Sequence, residues 1–311
     1  MIALQNVTKL YGSVIGVNDL TFVLEAGAHG LIGPNGSGKT TFINLLTGQL
    51  RPTLGKVQVL GVDPWRRRDV LRRIGLCPAT DVLYPNVSAW EWVRYQLRLH
   101  GFSRQEALRR TLASLEQTGL TSAMHRPLGS YSLGMRQRAK IAQAIAHDPE
   151  LLILDEPYNG LDPVGRRQMT DLLREWGAAG KSLLFASHVL HEIEAVTPSF
   201  LLIYGGRLLA SGTAGEIQSL LADAPQEVVI SGPDAGRLAQ RLASQPWIDA
   251  LRLLPEAAQV RVQVRQPQLL YRALPQWIVA DDLRIEQLQA DDGNLSNLFE
   301  TLLRRHRGEQ P

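Results

Sequence analysis

Apolar residues recur at alternate or near-alternate positions over Ile2 to Val7 and Leu20 to Leu24, and the pattern breaks at Tyr11-Gly12-Ser13 and Ala26-Gly27. A period of two predicts strands. A short apolar run, Gly30-Leu31-Ile32, comes next, then a glycine-rich loop, then the amphipathic run Thr41 to Leu46, giving strand, loop and helix in order. From Ser88 to Leu120 the spacing becomes helical. Trp92, Tyr95 and Leu99 are predicted on one face, and Ala107, Leu108, Leu112 and Leu115 on another. This predicts a helical insert over about residues 80–130. Strand-length apolar runs return at Leu151 to Leu154 and Leu183 to Ala186, each after a helical segment, the pattern of a parallel sheet built by crossovers.

Around Ala222-Asp223-Ala224-Pro225 the apolar periodicity lapses and restarts in a different style, which predicts a boundary between residues 1–222 and 226–311. The second segment reads as strand (Glu227 to Ser231), helix (Asp234 to Leu242), strand (Ile248 to Leu254), strand (Gln259 to Val264), helix (Leu269 to Leu274) and strand (Leu283 to Gln289), with a closing helix from Leu295. That order predicts a small α+β domain of the ferredoxin-like, split βαβ kind.

Composition narrows the classes. With 311 residues, 44% hydrophobic and 20% charged, the chain has ordinary globular chemistry and enough length for two domains. A net charge of +3 over 33 basic and 30 acidic side chains gives no field that favours nucleic acid, so no nucleic-acid partner is expected. Two basic clusters, Arg66-Arg67-Arg68 with Arg72-Arg73 and Arg304-Arg305-His306-Arg307, read as solvated surface. Cys77, the single cysteine, cannot form an internal disulfide and reads as a buried, reduced thiol. The start, Met1-Ile2-Ala3-Leu4-Gln5-Asn6, lacks the basic and apolar stretches of a secretory signal. The apolar runs are far shorter than the roughly 20 residues needed to cross a bilayer.

Gly33-Pro34-Asn35-Gly36-Ser37-Gly38-Lys39-Thr40 fits G-x-x-x-x-G-K-[ST] and sits between a predicted strand and a predicted helix. Glycines let successive N–H groups turn inward, and the following helix offers its positive end. Lys39 can reach the β- and γ-phosphates, and the Thr40 hydroxyl can ligate Mg²⁺. The loop, continued by Thr41, predicts a nucleoside triphosphate site, but GTPases, kinases, helicases and transport ATPases all use one. A second element, Leu151-Leu152-Ile153-Leu154-Asp155-Glu156, is an apolar strand ending in two acids. Asp155 can hold a hydrated Mg²⁺ and Glu156 can polarise an attacking water. Ser132-Leu133-Gly134-Met135, at a predicted helix start, reads either as a helix cap or as a second anion-binding surface.

The phosphate loop, Ser132-Leu133-Gly134-Met135 followed by Arg136-Gln137-Arg138, Asp155-Glu156-Pro157, Asn159-Gly160-Leu161-Asp162-Pro163 and Ser187-His188 occur together in one order over about Ile2 to Leu220. In this the chain resembles the ATP-binding subunits of ABC transporters. The Gly205-Gly206-Arg207 turn, Gly212-Thr213 and the appended C-terminal segment look like the type-two (ABC-2) exporter branch. The resemblance implies an α/β P-loop NTPase cassette with a helical subdomain, ATP and Mg²⁺ as ligands, and a head-to-tail homodimer. It also implies a separate polytopic permease and a place at the cytoplasmic face of the membrane.

By the same resemblance, Tyr11 would stack on adenine and His188 would sense the γ-phosphate. Ser132 and Gly134 would touch the partner's nucleotide, with Leu133 and Met135 trimming that contact, and Asp162 would cross the dimer seam. A soluble ABC ATPase acting on ribosomes or nucleic acid is the alternative, and a non-hydrolysing ATP-gated scaffold a third reading. One departure stands out. After Ile74-Gly75-Leu76-Cys77-Pro78 the family normally carries glutamine or glutamate, which links the metal and the attacking water to the membrane partner, and here the residue is Ala79. The expectation is slower hydrolysis, or substitution by Thr80 or Asp81.

Overall fold

Two antiparallel strands open the chain, β1 (Ile2–Tyr11) and β2 (Val14–Leu24), each longer than its alternating stretch predicted. The computed structural model describes residues 1–81, 83–213, 216 and 226–290. Within the chain lie two compact units, Met1–Ala214 and Gly215–Pro311. The boundary expected at Ala222 to Pro225, the closing helix expected from Leu295 and the Arg304 to Arg307 cluster fall outside the described residues.

In the first unit the chain continues through β3 (Ala28–Ile32), α1 (Lys39–Leu46), β4 (Leu54–Val59) and β5 (Ile74–Cys77). Helices α2 (Ala89–Leu99), α3 (Arg104–Gln117) and α4 (Leu133–Ile145) form the insert. Then come β6 (Leu151–Asp155), α5 (Pro163–Ala178), β7 (Ser182–Ser187), α6 (Leu190–Glu194), β8 (Ser199–Tyr204) and β9 (Arg207–Thr213). One sheet is antiparallel, in the order β2-β1-β4. The other runs β5-β6-β7-β3-β8-β9, parallel except for β9.

Every residue of β6 and β7 is buried, the expected state of central parallel strands covered on both faces. The main core gathers Ile2, Leu4 and Leu20 from the antiparallel sheet, Phe42 and Leu46 from α1, and Ile153, Leu184 and Ile203 from the parallel sheet. Helix α1 is therefore clamped between two sheets. Its N-terminus, at the phosphate loop, has little freedom to move.

The helical insert corrects two faces expected from hydrophobic spacing. In α2 the buried stripe is Ala89, Val93 and Leu97, spaced by four, with Trp92 beside it, whereas Tyr95 and Leu99 are 58% and 61% exposed. In α3 the buried face carries Ala107, Thr111, Ser114 and Leu115, while Leu108 and Leu112 are 42% and 43% exposed. The hydroxyls of Thr111 and Ser114 donate to the carbonyls of Ala107 and Thr111 in their own helix, so both residues enter the core with no unmet polar group. A purely apolar search misses such a face. Ser88 and Glu91 form a reciprocal capping box that fixes where α2 starts.

The second unit holds β10 (Gln226–Ser231), α7 (Ala235–Ala243), β11 (Ile248–Leu254), β12 (Gln259–Val264), α8 (Pro267–Ala280) and β13 (Gln287–Ala290). Its sheet order is β11-β12-β10-β13, antiparallel throughout, the order of a split βαβ sandwich. Helix α8 runs past the expected end at Leu274, through Pro275, because Trp277 and Ile278 pack on the same core. That burial offsets the cost of an interior proline. Among the described residues, no helix is long and apolar enough to cross a membrane.

Candidate functional site

Strands β6, β7 and β3 are parallel neighbours, so their C-terminal ends open on one edge, the usual ligand edge of an α/β sheet. The register sets Ile32 beside Ser187 and Asp155 beside Ala186. The loop after β3, the acids ending β6 and the histidine after β7 therefore converge. They surround a cavity of about 520 Å³ lined by Tyr11, Pro34 to Thr41, Ala79, Asp155, Glu156, Asn159 and His188, with Val14, Ile15 and Gly16 from the start of β2.

The loop is a braced backbone cradle. Ser37 N–H donates to Pro34 O at 3.1 Å, and Gly206 N–H donates to Ser37 O at 2.9 Å. Gly38, the N-cap of α1, has φ +107°, and a Cβ there would lie 2.5 Å from Gly16 O, so only glycine fits. The first-turn N–H groups of α1 have no partners within the helix and open onto the cavity. Among the described residues, the buried Ser37 hydroxyl has no hydrogen-bond partner. An orphaned donor beside free N–H groups fits a phosphate oxygen.

Charges complete the site. Lys39 is buried, and its ammonium donates to Gly33 O at 2.6 Å and Pro34 O at 3.3 Å and lies 3.7 Å from Glu156 Oε1. Burial pulls its pKa down while the two acids oppose that shift. The Thr40 hydroxyl donates to Asp155 Oδ2 at 3.0 Å, and burial pushes the Asp155 pKa up. Thr40 and Asp155 thus present hard oxygen donors side by side, the donor type Mg²⁺ takes. Glu156 sits at φ +53°, an unfavourable backbone for a non-glycine residue, and Glu156 N–H donates to Ala186 O at 2.9 Å. His188 Nδ1 lies 2.9 Å from Glu156 Oε2. Tyr11 is 44% exposed at the rim, its hydroxyl 3.4 Å from Thr41 Oγ1.

A separate cavity of about 830 Å³ is lined by Ser132, Gly134, Met135, Arg138, Asp162 and Gln168 among others, and shares no lining residue with the first. Ser132 caps α4, its hydroxyl accepting from Met135 N–H at 3.3 Å. Asp162 caps α5, its carboxylate accepting from Gly165 N–H at 2.8 Å. Leu133 is 57% exposed and covers Gly160. A Cβ on Gly134 would lie 2.7 Å from Gly160 O.

Residues 17–159 match the family model described as ABC transporter. The uncharacterized ABC transporter ATP-binding protein YxlF of Bacillus subtilis is 34% identical over 252 residues, covering 81% of this chain and 82% of that protein. The chain belongs to the ABC transporter ATP-binding family. The linearmycin resistance ATP-binding protein LnrL of the same organism is 28% identical over 98% of this chain and 99% of its own. A solved structure of an ATP-binding subunit of an ABC transporter is 29% identical, covers 71% of this chain and 93% of its own, and superposes with a TM-score of 0.66.

Of the ABC residues expected from sequence, Pro34 to Thr41, Tyr11, Asp155, Glu156 and His188 meet in one place, and Ser132, Gly134, Met135 and Asp162 meet in another; Gly33 and Leu133 line neither cavity. Val14, Ile15 and Gly16 escaped the sequence reading, and Asn159 entered it only as part of a motif with no role of its own. The signal for the first two was present as apolar residues directly after the Tyr11-Gly12-Ser13 turn, and the structure leaves them 64% and 52% exposed. Ala79 lines the phosphate cavity; Thr80 and Asp81 do not, and the Asp81 carboxylate pairs with Arg136 at 2.8 Å. Burial raises the Cys77 thiol to about 12, so it is inert.

Proposed function

We propose that the chain is the ATP-hydrolysing subunit of an exporter and works as a head-to-tail homodimer that drives a separate membrane permease from the cytoplasmic side. The observation that carries this reading is the split of the family's ATP contacts into two cavities with no common residue. A nucleotide in the phosphate cradle reaches Ser132 and Gly134 only if a second copy supplies them. The resistance function in LnrL's name, together with its full-length match, supports export.

In this reading the cradle N–H groups, Ser37 and Lys39 hold the phosphates, and Tyr11 with Val14 and Ile15 flanks the base. Thr40 and Asp155 would hold Mg²⁺, whose charge stabilises the transferring phosphoryl oxygens when bound. Glu156 orients the attacking water and accepts its proton, and His188 fixes the Glu156 carboxylate. Lys39 serves as the positive partner of both acids until phosphate enters.

The test is Glu156→Gln in the full chain. Turnover falls by about 10² to 10⁴, ATP affinity holds, and light scattering shows an ATP-dependent dimer. A variant that binds ATP normally but stays monomeric, or hydrolyses at the original rate, defeats the proposal.

A further inference from the structure

Helix α4 makes an unusual set of contacts with the segment that follows β5. Lys140 is buried, with its ammonium donating to three successive carbonyls, Pro78 O at 2.9 Å, Ala79 O at 3.4 Å and Thr80 O at 3.2 Å. An ammonium has three donors, and all three are spent on this one turn of backbone. One helical turn earlier, Arg136 pairs with Asp81 at 2.8 Å and also donates to Tyr131 O, next to the Ser132 cap. Between them, Gln137 donates to Glu156 O at 3.4 Å and Pro157 O at 3.2 Å. Positions i, i+1 and i+4 of one helix thus hold the backbone on both sides of the phosphate cavity.

A buried lysine needs a reason. Removing an ammonium from water costs several kcal/mol, and its three partners are neutral carbonyls. Ala79 lines the cavity with Asp155, Glu156 and His188 but offers no polar side-chain atom, so this wall acts only through where its backbone lies. The ammonium determines that position, and its charge is within electrostatic reach of Asp155.

We propose that Lys140 is a positioning residue for ATP hydrolysis, pinning residues 78–80 against the phosphate cavity and, with Arg136 on Asp81, tying that wall to the helix that begins at Ser132. The wall beside Asp155 and the surface at Ser132, Gly134 and Met135, the signature surface at the start of α4, then shift as one body, although they belong to different cavities. The inference rests on reading the cavity as the site of ATP hydrolysis.

The experiment measures steady-state ATP turnover of the full chain against ATP concentration. Variants are Lys140→Met, Lys140→Arg and Asp81→Asn, with melting temperatures taken in parallel. A small misplacement of reacting groups costs one to two orders of magnitude in rate. Lys140→Met is therefore expected to lower kcat about tenfold with KM within about twofold, and Lys140→Arg, which can still donate to these carbonyls, to restore most of the rate. Unchanged kcat in Lys140→Met overturns the proposal. So does a parallel fall of kcat, ATP affinity and melting temperature that arginine does not rescue, since that is a structural role alone. If Lys140→Met does not fold, Asp81→Asn decides, because that side chain is half exposed. A kcat loss of about threefold at constant KM supports the tether, and a wild-type kcat overturns it. An unsubstituted chain that fails to hydrolyse ATP overturns this inference and the functional reading together, whereas an active chain indifferent to these changes overturns the tether alone.

Discussion

The phosphate cavity and the signature surface lie in the same unit and differ in how their polar groups are satisfied. In the first, Lys39, Asp155 and Glu156 are largely withdrawn from solvent and held by one another, and Ser37 keeps an unmet buried hydroxyl. In the second, Ser132 and Asp162 each use one side-chain oxygen to cap α4 and α5, and Leu133 is 57% exposed. The first presents a buried hydroxyl and helix-end N–H groups that fit an anion. The second has helix-capping bonds already made within the unit, and this contrast is the physical basis for proposing that one binds nucleotide alone and the other acts across a dimer.

The largest test of that contrast is Lys39→Met. Truncating one member of a buried charge pair costs 2 kcal/mol or more, so equilibrium ATP affinity should fall by at least about thirtyfold; affinity within threefold of the parent would break the contrast from the phosphate side. Next is Gly134→Ala, where the added methyl must push Gly160 O away from a 2.7 Å approach. Turnover should drop about tenfold, from roughly 1.4 kcal/mol of lost stabilisation, with ATP binding to the isolated subunit unchanged. Weaker binding in that variant would mean the two cavities are not independent in nucleotide binding, whatever tether links them in turnover.

The smallest expected effect probes how the signature helix is anchored at its far end. His147, just past α4, bonds Ile74 O at 3.1 Å and stacks on His100 at 4.2 Å. Burial, then the neighbouring His100 charge, lowers its pKa to about 4 from an ordinary 6.5. The unfolded chain therefore binds the extra proton between those values. The stabilisation is present above pH 6.5 and erodes as pH falls toward 4, with a loss on the order of 1 kcal/mol already at pH 6. His147→Gln should flatten this part of the stability curve in denaturant titrations; an unaltered pH dependence removes His147 as the cause.

Much of the cassette was legible because its signals are local. The G-x-x-x-x-G-K-T spacing and the apolar run ending in Asp155-Glu156 each specify backbone geometry within a few residues. The order of strands and helices in the second unit was legible for the same reason. The helical faces of the insert were not. Thr111 and Ser114 are buried because their hydroxyls bond within the helix, and Leu108 and Leu112 stay out because no neighbour covers them there.

The sequence by itself determined the inventory: a triphosphate loop, an apolar strand ending in two acids, a serine and a glycine at a helix start, and Ala79 where the family resemblance implies glutamine or glutamate. Only the tertiary structure decided which of these meet. Strand order put β6, β7 and β3 side by side and so brought loop, acids and histidine to one edge, while the signature was left at another. It also decided what supports Ala79. Lys140 lies 61 residues further along the chain, and only the packing of α4 against the segment after β5 places its ammonium on that carbonyl. Local chemistry is written in short spacings, whereas such a contact depends on how distant elements pack, and no local pattern encodes it.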